Sequence, residues 1–299
     1  MKNRASANIA LFLTAMIWGL SFVAQRAGME YIGPFTFNSV RSILGGLSLL
    51  PLIIFLKLSK PDKRTKEIRH EQHITLGRAG IGCGIALFLA MSVQQYCMQF
   101  VSAGKGGFLT ALYIIFVPIL SVLFGDKLSK KIIISVCLSF IGLYFLCYKP
   151  ENGGFNVYDL LLLLSAFFYA VHIMVVNYYS CRADAIKTSC IQFFTVGTLS
   201  ALLVILFETP TLELILACKI PILYAGILTC GVAYTLQIYG QKYTLPIIAS
   251  LIFCTESVFA VIGGAAILGE TMTIKEIVGC IFMVCAVILA NINSKTKKC

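Results

Sequence analysis

Ten apolar runs, most parted by only a few polar residues, constrain this chain more than anything else in it. They lie at 6–25, 34–56, 77–98, 104–124, 131–148, 158–179, 187–207, 220–241, 247–268 and 274–292. A helix needs about 20 residues to cross the hydrocarbon of a bilayer. Within that layer every backbone polar group must be satisfied inside the protein, so only helices and closed barrels span it. A barrel reads as short alternating segments, which these long blocks are not. The expectation is an all-α integral membrane protein with ten transmembrane helices. Of its residues 59% are hydrophobic and 12% charged, with a mean hydropathy of +0.89, against about 25% charged in soluble domains. The connections leave no room for a soluble domain. The longest, 57–76, reads as a solvated loop or short surface helix. The first run has no A-x-A-like cleavage site after it and is expected to stay as the first helix.

The net charge of +11 is a topology signal and implies no nucleic-acid partner. With the amino terminus inside, 18 of the 24 basic residues fall on inner segments, 5 fall outside, and Arg41 lies within a span. Lysine and arginine concentrate on the cytoplasmic side. Both termini are therefore expected in the cytoplasm of a multi-pass cell-membrane protein. The basic segment 57–78 fits topology and contact with anionic lipid better than recruitment of a partner, and no obligate protein partner is evident. The twelve cysteines stand singly, mostly inside apolar runs. They read as small packing residues, not disulfides, and no Cys/His spacing calls for a metal or cofactor.

An internal repeat organises the runs. Residues 124–146 align without a gap on 268–290, at an offset of 144. Gly125 meets Gly269, Asp126 meets Glu270, Ser129 meets Thr273 and Lys131 meets Lys275. If each half holds five spans, an odd number, the second half inserts upside down. Inverted repeats of this kind belong to secondary transporters with a midplane site. The expected division is 1–150 for the first five-helix repeat and 151–299 for the second, a 5+5 inverted repeat. Gly80 with Gly84, and Ala260 with Gly264, offer small-x-x-x-small faces for close helix packing. Pro51 and Pro118 interrupt spans and are expected to free a carbonyl or bend the helix.

The candidate site begins with Glu256, near the middle of the ninth run. A charge at that depth costs roughly 2.5–3.5 kcal/mol on insertion scales. Nothing in its own run offers it a partner, so a cavity, a counter-charge or a proton must come from elsewhere. It is the first choice for binding substrate and for proton coupling. The plainer alternative is structural hydrogen bonding to a neighbouring helix. Arg41 stands roughly 10 Å into its span at 1.5 Å per residue. It either snorkels to the surface or turns inward to pair with Glu256 or a substrate carboxylate. Trp18, Tyr96, Tyr113, Tyr169 and Tyr234 lie within spans and carry polar tips, suited to core packing or to stacking on a ligand. Gln94, Gln95 and Gln237 can bond helices or substrate. His172 reads as a satisfied packing residue more readily than as a proton relay. Lys105 is placed at the outer mouth, and Glu270 at a helix end.

These residues together resemble the EamA-type members of the drug/metabolite transporter superfamily. The likeness rests on Trp18-Gly19, Arg41, Ser102-Ala103-Gly104-Lys105, Gly125-Asp126, Thr255-Glu256-Ser257-Val258 and Gly269-Glu270, spread over nearly the whole chain. The family often has Glu-Pro where this chain has Glu256-Ser257, so no proline enforces a helix break there. It often has Gly-Glu where this chain has Gly125-Asp126. The resemblance implies a ten-helix carrier built as five plus five that exports small metabolites such as amino acids, or amphipathic and toxic compounds. It implies a small-molecule substrate and the lipid bilayer as partners. Two alternatives stand beside it: a flippase of a lipid or lipid-linked sugar, and a polytopic membrane enzyme or sensor. An enzyme is not expected, because the chain carries no G-x-S-x-G, H-E-x-x-H or Walker motif.

Overall fold

A computed structural model describes residues 2–59, 65–101, 103–147, 156–268 and 273–292. The described chain is helical throughout, with no strand. The first half holds α1 (Lys2–Gly28), α2 (Pro34–Ser59), α3 (Lys66–Cys97), α4 (Ala103–Ala111), α5 (Tyr113–Leu123) and α6 (Lys130–Cys147). The second holds α7 (Val157–Tyr179), α8 (Ala185–Phe207), α9 (Leu212–Ala217) and α10 (Lys219–Leu223). A π-helical stretch (Tyr224–Ala233) follows, then α11 (Tyr234–Gln241), α12 (Pro246–Phe253), α13 (Glu256–Leu268) and α14 (Ile274–Asn291). Eight helices among the described residues are long and apolar enough to cross a membrane, and a shorter apolar helix joins them. The chain is a multi-pass membrane protein. α6 stands on the fifth expected span, and α12 with α13 on the ninth.

Three departures from expectation have physical causes. The stretch 57–76, expected as a solvated loop or short surface helix, is helical from Lys66 on, but as the first part of the long α3, with Thr65 as its N-cap. Residues 66–75 contain no glycine or proline and are rich in Lys, Glu, Arg and Gln, good helix formers. The eighth span is not a plain α-helix but passes through the π-helical stretch, a geometry that hydrophobic periodicity does not announce. Reading every cysteine as a thiol fails at Cys181, which is disulfide-bonded. It lies in the turn between α7 and α8, outside the apolar runs where the buried thiols of Cys83, Cys190, Cys230 and Cys254 pack. Pro51 sits inside an unbroken α2. Gly125 has φ +94°, and its N–H and that of Asp126 bond back to Val122 and Ser121, closing α5 as a left-handed glycine does. Gly269, Glu270 and Ser102 lie outside the described residues.

Helix pairs form the layers. α2 runs along α8, and α6 along α14. α3 packs on α7 and α8, while α1 packs on the π-helical stretch, α11, α12 and α13. α7 also touches α4 and α5. Lipid tails are as apolar as side chains, so association relies on close packing of small residues. A Cβ on Gly80 would stand 2.5 Å from Ile191 of α8, and one on Gly84 2.6 Å from Thr195. A Cβ on Gly45 would stand 2.4 Å from Cys230. At the α6–α14 crossing, Gly142 and Gly279 face each other's carbonyls, at 2.9 and 2.8 Å from the added carbon.

Polar contacts tie the helix ends into two faces. On one, Arg4 Nη2 donates to the Asn291 carbonyl at 2.6 Å, so α1 begins where α14 ends. Ser6 and Tyr239 hydroxyls meet there at 3.1 Å, and Ser180 Oγ donates to the Gln241 carbonyl at 3.3 Å. On the other, Arg26 Nη1 donates to the carbonyls of Met98 and Gln99 at 2.8 and 3.0 Å. Glu208, just past α8, accepts from the backbone N–H groups of Phe35 and Thr36 at 2.9 and 2.8 Å. A carboxylate there satisfies the free donors of the α2 N-terminus and complements its dipole.

The crossing glycines give a direct test. Gly142→Ala pushes a carbon against the Gly279 backbone and is expected to cost about 1–3 kcal/mol. Gly77→Ala meets nothing within 4 Å and is expected to be neutral or to gain up to about 1 kcal/mol in helix propensity. Thermal unfolding of the two purified variants in detergent, against wild type, checks the contrast.

Candidate functional site

Two spans stop and restart inside the apolar layer. The fourth breaks at Leu112, between α4 and α5, and the ninth at Cys254-Thr255, between α12 and α13. No proline stands at either break. Short turns replace the regular bonds: Leu112 N–H reaches Leu109 at 3.3 Å, and Thr255 N–H reaches Ile252 at 3.1 Å. Side chains join in, with Thr255 Oγ1 donating to the Ile252 carbonyl at 2.6 Å. Cys254 Sγ donates to the Ala111 carbonyl at 3.4 Å, linking one break to the other. After each break a new helix begins, with Tyr113 as the first residue of α5 and Glu256 as the first of α13.

Those two residues meet. The Tyr113 hydroxyl donates to Glu256 Oε1 at 3.1 Å, and both side chains are buried. A carboxylate in the first turn of α13 also faces that helix's positive dipole end. α1 crosses directly over this point: a Cβ on Gly19 would stand 2.4 Å from the Glu256 carbonyl oxygen and 3.0 Å from the Ala260 nitrogen. Only a glycine admits so close a crossing, and it brings Trp18 beside the break.

The meeting point lies on a cavity of about 40 Å³. Its lining includes Glu256, Tyr113, Trp18, Arg41, Tyr169 and Tyr234. Trp18 packs on Tyr234 and Phe253, with ring centroids 4.8 and 5.1 Å apart. α1 contributes Trp18, Ser21, Phe22 and Gln25, spaced three, four and seven residues apart on one face. Trp18 Nε1, Gln25 Oε1 and Thr229 Oγ1 have no hydrogen-bond partner among the described residues, although buried polar atoms are nearly always bonded. They leave unmet polar capacity on the cavity wall.

Arg41 turns inward and is 2% exposed, so it does not snorkel. Its Nε and Nη2 donate to Asn38 Oδ1 at 3.0 and 2.7 Å. Asn38 is held by its own bond to the Met91 carbonyl at 3.1 Å. Among the described residues no ion pair joins Arg41 to Glu256. The Glu256 carboxyl and the Arg41 guanidinium line one cavity, each bonded to a neutral partner, a phenol for the first and an amide for the second. Those partners orient both groups without pairing them to each other.

Five of the six aromatic and cationic candidates beside Glu256 come together here, and Tyr96 does not. It is 40% exposed and packs edge-on to Phe100 at 5.5 Å, in a cluster completed by Tyr158 stacked on Phe100 at 4.2 Å. The reason is angular. Gln94 faces the cavity, and two residues further the helix has turned about 200°. Gln94 accepts from the Tyr169 hydroxyl at 2.8 Å and donates to Thr110 at 3.0 Å. Gln95 and Gln237 bond other helices or helix neighbours instead. His172 is paired with Gln192 at 2.9 Å, away from the cavity. Lys105 forms an ion pair with Asp159 at 2.9 Å, across α4 and α7, so it anchors helix ends. Sequence reasoning missed Asn38, Ser21, Gln25, Thr110 and Thr229. For α1 and α2 a signal existed: polar residues three or four positions from Trp18 and Arg41 on the same helix face.

The profile of the EamA-like transporter family matches twice, over residues 5–148 and 156–292. An uncharacterized transporter of Archaeoglobus fulgidus is 30% identical over 292 residues, covering 97% of this chain and 87% of the relative. The uncharacterized transporter YoaV of Bacillus subtilis is 22% identical over 297 residues, covering 97% and 98%. A protein of known crystal structure superposes with a TM-score of 0.74 at 17% identity, over 97% of both chains, which shows the shared fold. The chain belongs to the EamA-like transporter family.

Proposed function

We propose that this protein is a secondary transporter, an exporter of small metabolites such as amino acids or amphipathic and toxic compounds. It works by alternating access around the cavity at the two helix breaks. One observation carries the reading: a carboxyl, a guanidinium and five aromatic side chains from several helices converge on one cavity. A solute with both an anionic and a cationic group finds a partner for each, Arg41 for the first and Glu256 for the second. The rings of Trp18 and Tyr234 supply faces for a cation or an apolar side chain. At about 40 Å³ the cavity is closed down, and admitting a metabolite requires the surrounding helices to part.

The movement we propose is a rocking of two inverted halves of five spans each, 1–150 and 151–299. The double family match supports it. So does the packing map. Exchanging each helix for the one five spans later turns the contacts of α1 with α11 and α13 into those of α7 with α3 and α5. It turns the packing of α2 on the π-helical stretch into that of α8 on α3, and returns α2–α8 and α6–α14 to themselves. In the 144-residue register the two breaks fall within two residues of each other. Both chain ends are placed in the cytoplasm of the cell membrane by the positive-inside bias. Glu256 is the proposed proton-coupling group: it takes a proton when the substrate's cation leaves and gives it up when the cation returns.

Flux measurements in proteoliposomes test this. Glu256→Gln keeps shape and hydrogen bonding but removes the charge. It is expected to insert normally and to lose most transport, or its pH dependence. Wild-type flux with an unchanged pH profile, at equal abundance, removes Glu256 from the mechanism. Tyr113→Phe deletes one bond to the carboxylate. The expected effect is roughly a tenfold loss of apparent affinity or more, from the 1.5–3 kcal/mol that a bond to a charged group is worth. For topology, a cysteine at Asn152 is expected to react with an impermeant reagent from outside and one at Lys66 to stay protected. The reverse pattern refutes the orientation.

A further inference from the structure

Exchanging the two halves pairs single residues as well as helices. Counted back from the ends of α1 and α7, Trp18 falls on Tyr169 and Ser21 on His172. From the starts of α2 and α8, Arg41 and Gln192 are each the eighth residue. Tyr113 and Glu256 each open the helix after a break. Nineteen residues ahead of them stand Gln94 and Gln237. All five members from the first half line the central cavity, as do Tyr169 and Glu256. The other three counterparts, His172, Gln192 and Gln237, do not, yet all three are buried.

From Trp18 the cavity extends along Ser21 and Gln25, towards the face that carries Arg26. The second set extends the other way, towards the face that carries Arg4. His172 lies one turn of α7 beyond Tyr169, and Gln237 one turn of α11 beyond Tyr234. Contacts hold the three together. His172 Nε2 meets Gln192 Oε1 at 2.9 Å, and the His172 and Tyr234 rings lie 5.9 Å apart. Gln241 Nε2 donates to the Ile173 carbonyl at 3.0 Å, so α11 touches α7 one turn before Gln237 and one turn after it. Gln237 Nε2 donates to Gln241 Oε1 at 3.1 Å, which keeps its amide on that face. Gln192 Nε2 and Gln237 Oε1 have no hydrogen-bond partner among the described residues, nor have the hydroxyls of Thr188 and Ser189, one turn of α8 nearer the Arg4 face. Buried polar atoms are nearly always bonded, and a histidine inside a membrane usually faces a cavity or a pathway. We infer that His172, Gln192 and Gln237 line a second solute-binding cavity, one that opens to the Arg4 face when the central cavity closes to the Arg26 face and that presupposes the proposed transport function. A donor and an acceptor beside an imidazole suit a solute group that does both, such as a hydroxyl, or a carboxylate next to an ammonium. Where the first half offers the guanidinium of Arg41, the paired position offers the neutral amide of Gln192, so the second cavity holds the solute by hydrogen bonds.

Thiol labelling in membrane vesicles tests this without a known solute. The variants Ser21→Cys, Gln192→Cys and Gln237→Cys are treated with the impermeant cation 2-(trimethylammonium)ethyl methanethiosulfonate. Right-side-out and inverted vesicles are compared, and modified peptides are read by mass spectrometry against wild type. Ser21→Cys is expected to react from one face, and Gln192→Cys and Gln237→Cys from the opposite face alone. In the double variant Ser21→Cys/Gln237→Cys, reaction at the first position is expected to abolish reaction at the second, because a filled cavity cannot close and its counterpart then stays shut. Three results overturn the second cavity while the transport reading stands: reaction at Ser21→Cys with none at either glutamine position, reaction of all three variants from one face, or doubly modified chains. No reaction at Ser21→Cys from either face overturns the transport reading, and the second cavity with it.

Discussion

A backbone that stops bonding to itself inside a bilayer must find partners within the protein, because no water is there to replace them. The structure depends on how this is done at Leu112 and at Cys254-Thr255. Tight turns recover some bonds, the Thr255 hydroxyl another, and the Cys254 thiol reaches across to Ala111. Because the Cys254 thiol links one break to the other, α4–α5 and α12–α13 lie side by side at that depth. The restarting helices then aim Tyr113 and Glu256 at one point. The interruption that costs backbone bonds is the same feature that creates a polar centre in an apolar molecule.

Holding other helices against this centre falls to residues without side chains. Gly19 lets α1 cross over the start of α13, which sets the depth and direction of Trp18. Gly45 brings α2 against the π-helical stretch near Cys230, and α2 carries Arg41. In lipid no hydrophobic force drives such contacts, and dispersion falls off quickly with distance. A larger side chain at either position would move a charged or aromatic group of the cavity as well as weaken the packing. Fold and site are therefore specified by the same glycines.

Charge follows a similar economy of placement. Outside the centre, several polar pairs lie at helix ends: Arg4 with Asn291, Arg26 with the end of α3, Glu208 with the start of α2, Lys105 with Asp159. Each satisfies groups that a helix terminus leaves unpaired. Glu256 and Arg41 stand apart because each is buried with a neutral partner. On the proposed function, these are the groups that a charged substrate would engage.

Much of this was open to reading from the chain alone. The apolar runs and the basic bias determined a helical membrane protein, and the depth and isolation of Glu256 marked it before any contact was known. Ser129 and Thr273 stand just ahead of α6 and α14. What only the folded molecule decided was direction around each helix axis. Tyr96 points out and Tyr169 in; Arg41 bonds Asn38 and not Glu256; Lys105 is tied to Asp159. Hydropathy reports how deep a residue sits, because the bilayer grades polarity along its normal. It says little about azimuth, because lipid and protein interior are both apolar and a span reads much the same on every side. Azimuth is set by the neighbours that a helix packs against, and those are chosen by contacts far apart in the chain.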